Sequence, residues 1–282
     1  MAVFNNTGVL RKVIVARPTY WTILPLSDTA RNSMDAGVIP DKKAPMKQHE
    51  EYCDALRQAG IEVVYVEPIL EKYPWQDGAR DWGLATPAGA LIGKFRYYER
   101  KGEEEQVIAT LEREKYPIIG RVTRGAMEGG DCFYIDEKTV AIGHGNRSTL
   151  AGVADAASHL RKLGIEVVPV ELYARWNHLD GVFAIVGEKM AIGCKDALPD
   201  FFLGFLKGRG YEVKLYPGEM VAGNCALNLV NLGDGRILSW KGNPVNVDLK
   251  AMGLEVYDVD FSQFLVAGGG PHCFCHELER DR

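Results

Sequence analysis

No stretch of this 282-residue sequence approaches the roughly 18 consecutive apolar residues that a membrane-spanning helix requires, so no membrane partner is expected. The first residues, MAVFNNTGVLRK, lack the charged-then-apolar order of a secretory leader, and the sequence reads as cytoplasmic. Cysteine is sparse: six residues, at 53, 132, 194, 225, 273 and 275, fall far below the density of a disulfide scaffold. None forms the spaced C-x-x-C pair expected of a structural zinc site. There is no basic excess either. A formal net charge of −5 leaves no footprint for nucleic acid, so a cationic partner would be small and held by local carboxylates. With 46% hydrophobic residues, the chain has ample material for a large core. Self-association into a homo-oligomer is compatible with the sequence but not specified by it.

What is present is a repeat. Four segments end a helix-like run with glycine and continue into an apolar strand: LRQAG at 60 then IEVVYVEP, LRKLG at 164 then IEVVPVEL, LKGRG at 210 then YEVKLYP, LKAMG at 253 then LEVYDVD. The glycine suits the left-handed stop of a helix, and basic residues before it suit the helix dipole. The spacings are 104, 46 and 43 residues, and the first holds two units. The copy within it lies at EQVIATLEREKYPIIGRVT, with a weaker stop at 115–117 in place of glycine.

A second strand follows in each unit: GALIG at 89, KTVAIG at 138, EKMAIG at 188 and GRILSW at 235. The fifth is LRKVIVARP at 10, which sets the N-terminus beside the last unit. Turns at Glu137-Lys138, Glu188-Lys189 and Gly233-Asp234-Gly235 indicate antiparallel pairs within units, against a conventional doubly wound sheet. The expected fold is therefore α/β: a five-bladed α/β propeller, a single catalytic domain over 1–282. Each unit reads as strand, polar loop, hairpin and helix, and the N-terminal strand closes the ring.

Residues just after the first strand of each unit should line one central channel, and the breaks in apolar patterning gather there. They are Arg80-Asp81-Trp82, then Met127-Glu128-Gly129-Gly130-Asp131, then Asn177-His178-Leu179-Asp180, then Gly223-Asn224-Cys225, then GGGPHCFC from 268 to 275. Singly these are ordinary turns, packing residues and buried thiols. Jointly they assemble a nucleophile, a base, an orienting carboxylate and two further carboxylates.

The segments EGGD at 128, HLD at 178 and GGGPHC at 268 resemble those of the guanidine-modifying superfamily: arginine deiminases, dimethylarginine dimethylaminohydrolases and amidinotransferases. The resemblance runs from VIVARP near the start to the terminal cysteine segment. It implies a pentein fold, a covalent thiol mechanism and no metal or organic cofactor. Position by position, Cys273 resembles the nucleophile, His178 the general acid and base, and Glu128 the carboxylate working with it. Asp81 and Asp180 resemble the pair that holds guanidinium nitrogens, and Arg147 the residue that meets a substrate carboxylate. The residue types suit the chemistry. Guanidinium is planar and always charged, so fixed carboxylates orient it by forked hydrogen bonds, and a thiolate divides a slow hydrolysis into two steps.

HLD is closer to arginine deiminases and amidinotransferases, while the chain length is closer to the compact dimethylarginine hydrolases. The implied activity is hydrolysis of arginine or an Nω-substituted arginine to citrulline plus ammonia or an amine. Transfer of the amidino group to an amine acceptor is the alternative. Ribosome-binding propellers of the same architecture have no use for the cysteine, histidine and carboxylate set. A soft-metal site at His272-Cys273-Phe274-Cys275-His276, with both thiols on one face of a strand, lacks a second ligand pair. Residues 19–48, with Trp21, resemble in position the mobile substrate-covering loop of the family, with a disordered insertion as the alternative.

Overall fold

A computed structural model describes residues 3–282. Its fifteen strands form five three-stranded sheets. Four are built alike. β3 (Gly83–Thr86), β4 (Gly89–Ile92) and β5 (Ile118–Arg121) make one, followed by β6 (Cys132–Asp136), β7 (Thr139–His144) and β8 (Glu166–Glu171). Next come β9 (Phe183–Gly187), β10 (Met190–Cys194) and β11 (Glu212–Tyr216), then β12 (Val230–Gly233), β13 (Arg236–Trp240) and β14 (Glu255–Val259). In each, the first two strands pair antiparallel through a tight turn and the third joins parallel after a helix.

The fifth sheet is made from both ends of the chain. β1 (Leu10–Val15) lies between β15 (His276–Arg280), antiparallel with Ile14 opposite His276, and β2 (Glu62–Tyr65), parallel with Val13 opposite Val63. The five-bladed ring closes as the repeat implies. The phase of the unit differs from the sequence reading, however: hydrogen bonding groups hairpin, helix and the strand after the helix, not the strand before the hairpin.

Local sequence explains the pieces. At the β12–β13 turn both Asp234 and Gly235 have positive φ, 53° and 71°, the geometry of the tight hairpin turns whose twist matches the strands. The helix stops at Gly60, Gly164, Gly210 and Gly253 take φ of 84°, 72°, 81° and 86°. In the weak copy Lys115 adopts the same left-handed conformation at φ 55°. Middle strands such as β4 and β7 are buried nearly throughout, whereas β5, β11 and β14 on the rim are largely exposed. The cores fill the spaces between neighbouring blades, as where Phe133 of β6 meets Phe183 of β9 edge-on at 5.3 Å. No helix among the described residues is long and apolar enough to cross a membrane.

The polar segments lie in the loops between the outer strand of one sheet and the hairpin of the next. Four of them are short 3₁₀ turns immediately before an inner strand: Ala79–Trp82, Gly129–Asp131, Leu179–Gly181 and Pro271–Phe274. Each turn is tied to its neighbour around the axis. Asp81 Oδ1 accepts from Gly130 N at 3.2 Å, Asp131 Oδ1 from Leu179 N at 2.9 Å, and Asn228 Oδ1 from His272 N at 2.9 Å. These backbone-capping side chains fix successive turns relative to one another.

Candidate active site

All six residues singled out from the sequence border one cavity or the pair beneath it. Asp81, Arg147, His178, Asp180 and Cys273 line the cavity, and Glu128, fully buried, lies under His178. Trp21, Trp75, Trp176, Phe264 and Phe274 supply aromatic walls. Residues 19–48 are not an unstructured cover. They contain a helix at Asp28–Asp35 capped by Ser27, and Trp21, Ser27, Asp28 and Thr29 reach the cavity.

The imidazole and its carboxylate form a tight pair. His178 Nε2 is 2.9 Å from Glu128 Oε2 and 3.6 Å from Asp81 Oδ1. Glu128 Oε2 also accepts from Arg147 Nη1 at 3.1 Å, and Oε1 from the backbone N–H of Arg96 at 3.2 Å. Burial disfavours the Glu128 charge, but Arg147 and His178 outweigh it and hold the carboxyl down at about 2. Burial likewise opposes charge on His178, yet Asp81, Glu128 and Asp131 raise it to about 9, so the ring is an imidazolium at neutral pH. The space is tight: a Cβ at Gly130 would stand 2.7 Å from Asp81 Oδ1 and 3.0 Å from His178 Cγ.

Asp81 has a cation behind it. Arg100, 1% exposed, donates to Asp81, and to Glu103 at 3.0 and 2.8 Å. On the other side of the cavity Asp180 Oδ2 is 2.9 Å from His272 Nδ1 and 3.9 Å from Cys273 Sγ. Burial would raise Asp180, but His272 and then His178 and Arg80 keep it below the ordinary carboxylate range. The Cys273 thiol goes the other way. Burial, Asp180 and Asp81 push it well above its usual value, which favours the neutral thiol.

Arg147 is 2% exposed, with its guanidinium 4.9 Å from the Tyr97 ring centre. Its Nε has no hydrogen-bond partner. Asp77, 3% exposed, also lines the cavity, and its Oδ2 has none. Burial lifts the Asp77 carboxyl to about 8. Asp81, Glu128 and His178 present ligand-type atoms within 4.8 Å of one another, but Arg100 and Arg147 already balance the two carboxylates.

The five-residue metal set near the C-terminus is dispersed. Because 271–274 is a 3₁₀ turn rather than strand, the thiols do not share a face. Cys273 lines the cavity, while Cys275 packs in the apolar cluster with Tyr52 and Phe261. The fourth unit also differs. Cys225 lines the cavity, but the residue that ties the turns is Asn228, which accepts from His272 and Cys273 backbone N–H and donates to the Asp180 carbonyl at 3.3 Å. A signal for it existed: Asp81, Asp131, Asp180 and Asn228 recur at intervals of 48 to 50 residues. Arg100 and Asp77 carried none, since each sits in a stretch that reads as solvated loop.

A family model described as N,N dimethylarginine dimethylhydrolase, eukaryotic, matches residues 25–280. An N(G),N(G)-dimethylarginine dimethylaminohydrolase of Mycobacterium tuberculosis is 27% identical over 252 residues, covering 87% of this chain and 79% of that protein. The uncharacterized protein YkgA of Bacillus subtilis is 28% identical over 274 residues, 97% of this chain and 93% of YkgA. Among solved structures, a mutant dimethylarginine dimethylaminohydrolase from Pseudomonas aeruginosa complexed with citrulline has a TM-score of 0.80 at 22% identity. The match covers 96% of this chain and 100% of that one.

Proposed function

The chain belongs to the N,N dimethylarginine dimethylhydrolase family, and from that premise we propose that it is a cysteine-dependent hydrolase of a guanidinium C–N bond. Its substrate is arginine or an Nω-substituted arginine bearing a methyl, nitro or similar group, and its products are citrulline and ammonia or an amine. The observation that carries this reading is the meeting, in one cavity, of a thiol, two carboxylates on turns from different blades and an imidazole backed by a buried carboxylate.

Asp81 and Asp180 take the guanidinium nitrogens by charge-assisted hydrogen bonds. The unpartnered Nε of Arg147 suits the substrate carboxylate, and Asp77, whose carboxyl an incoming ammonium would draw toward its charged form, suits the substrate's amino group. Entry of the cation offsets the two carboxylates that hold the Cys273 thiol neutral, so the thiol releases its proton to solvent as the site fills. The thiolate attacks the guanidinium carbon. His178, charged at neutral pH, protonates the departing nitrogen, which leaves as ammonia or an amine while an S-alkylthiouronium remains on Cys273. The now neutral His178 takes a proton from water and the resulting hydroxide adds to the same carbon; as the C–S bond breaks, the proton of the added hydroxyl passes to the departing sulfur, which releases citrulline and restores the Cys273 thiol. Glu128 keeps the imidazole oriented and favours its charged form throughout.

Mass spectrometry of products from arginine, methylated and other N-substituted arginines and agmatine, with and without an added amine, tests the proposal. Citrulline with a released amine is expected. A new guanidino compound formed only with the acceptor would make the protein an amidinotransferase, and no product from any of these would overturn the reading.

A further inference from the structure

The residue before the nucleophile has no part in the steps above, yet it makes the closest side-chain contact to Asp180. His272 Nδ1 lies 2.9 Å from Asp180 Oδ2, the same oxygen that is 3.9 Å from Cys273 Sγ. The ring is 4% exposed and stacks on Phe133, with centroids 5.7 Å apart and planes 14° from parallel. Its backbone is fixed as well. The N–H groups of His272 and Cys273 converge on Asn228 Oδ1 at 2.9 and 3.2 Å, while Asn228 Nδ2 donates to the Asp180 carbonyl. A Cβ at Gly270 would stand 2.7 Å from Asn228 Oδ1, so this close approach needs glycine there. The turn bearing the thiol and the turn bearing the carboxylate are thus tied twice, by Asn228 through the backbone and by His272 through the side chain.

We propose that His272 is a positioning residue for the reaction: by donating Nδ1–H to Asp180 it fixes the carboxylate's orientation and charge for the incoming guanidinium, without touching the reacting carbon. This rests on the hydrolase reading. His272 and Cys273 of the last turn contact the Asp180 carboxylate, and its charge is also felt by or acted on by His178 of its own turn, Arg80 of the turn before β3, Cys132 at the start of β6 and Cys225 before β12. Of these, His272 does most to hold Asp180 below its ordinary range against burial. Losing its donor lets the Asp180 carboxyl rise, so proton binding empties the site of its charge at a higher pH.

The test compares His272→Phe, which keeps a ring against Phe133 but has no donor, with His272→Asn, whose side-chain N–H falls near the place of Nδ1–H. A hydrogen bond to a charged group commands about 10- to 100-fold in an equilibrium. His272→Phe should therefore lower kcat/KM by about that factor, chiefly through KM, and move the acid limb of the pH profile upward. His272→Asn should recover most of the loss. Alkylation of Cys273 by iodoacetamide across pH needs no substrate. Its profile should move to higher pH in His272→Phe, where Asp180 faces the thiol with one donor fewer, and stay near wild type in His272→Asn. A wild-type protein that turns over no guanidine defeats the hydrolase reading, while the alkylation profiles still decide the His272–Asp180 contact. A folded His272→Phe with wild-type KM, acid limb and alkylation profile overturns the proposal. If His272→Phe does not fold, His272→Gln, whose donor sits at the Nε2 place, replaces it, and equal behaviour of the Gln and Asn variants overturns it.

Discussion

Cys273 and Cys275 are two residues apart and end in unlike surroundings. The first borders the cavity beside Asp180, and the second is fully buried near Tyr52, with burial pushing its thiol up to about 12. Cys273→Ala should therefore abolish turnover and leave the fold intact. Cys275→Ala should keep kcat/KM within about threefold and cost roughly 1 kcal/mol of stability, as a small buried group is lost from a packed cluster. Steady-state kinetics and thermal melts of both variants check this, and the reverse assignment would move the nucleophile by two residues. The thiol, the histidine and the three carboxylates stood out in the sequence because each lies in a polar break that recurs once in every unit. Asn228 recurs at the same position as Asp81, Asp131 and Asp180, but ALNLV around it reads as plain strand, and its role shows only in its contacts with turns 44 to 48 residues away in the chain. Arg100 was hidden differently. It lies in a charged run, ERKGEEE, whose natural reading is a solvated face, and only its pairing with Asp81 and Glu103 explains its burial.

At the scale of elements, the helix stops carried the fold. Four glycines at the same place in successive units set the repeat, and the fifth position is occupied by Lys115 in the same left-handed conformation. A residue with a Cβ is disfavoured there by about 1–2 kcal/mol, partly offset by the greater freedom of an unfolded glycine. Lys115→Gly should accordingly stabilise the protein by about 0.5–1 kcal/mol. Gly164→Ala should destabilise it by about 1 kcal/mol, because a Cβ there meets nothing within 4 Å and the cost is conformational alone. Opposite shifts in thermal midpoint are the expected result, and a loss of stability in Lys115→Gly would show that the lysine side chain contributes more than its backbone strain removes. The 3₁₀ turns, by contrast, show in the sequence only as polar loops. Their geometry comes from side chains of adjacent blades bonding to their backbone, as Asp131 does to Leu179, and no local pattern encodes that.

The whole ring depends on joining β1 to β15, and one side chain braces that joint from inside. Arg280, in β15, donates to Glu277 at 2.9 and 2.7 Å, to the Gly8 carbonyl at 2.6 Å and to the Asn231 carbonyl of β12 at 2.6 Å. It thereby links the last strand to the N-terminal segment and to the preceding blade. Both partners are 5% exposed, so Arg280→Met leaves a buried carboxylate with only Arg80, 3.9 Å away. Removing one member of such a pair costs about 3–5 kcal/mol at neutral pH. The pH dependence has a definite sign. Burial would raise Glu277, but Arg280 and Arg80 hold it down at about 2 against an ordinary 4.5, so its contribution is complete above the ordinary value and fades as pH falls toward 2. Without Arg280 the carboxyl protonates at higher pH, and the gap between variant and wild type should narrow as pH falls below neutrality. Urea denaturation across pH measures it, with the pair Arg280→Met and Glu277→Leu together expected to recover part of the loss by removing the stranded charge. A single variant as stable as wild type at neutral pH would mean that strand pairing alone closes the ring.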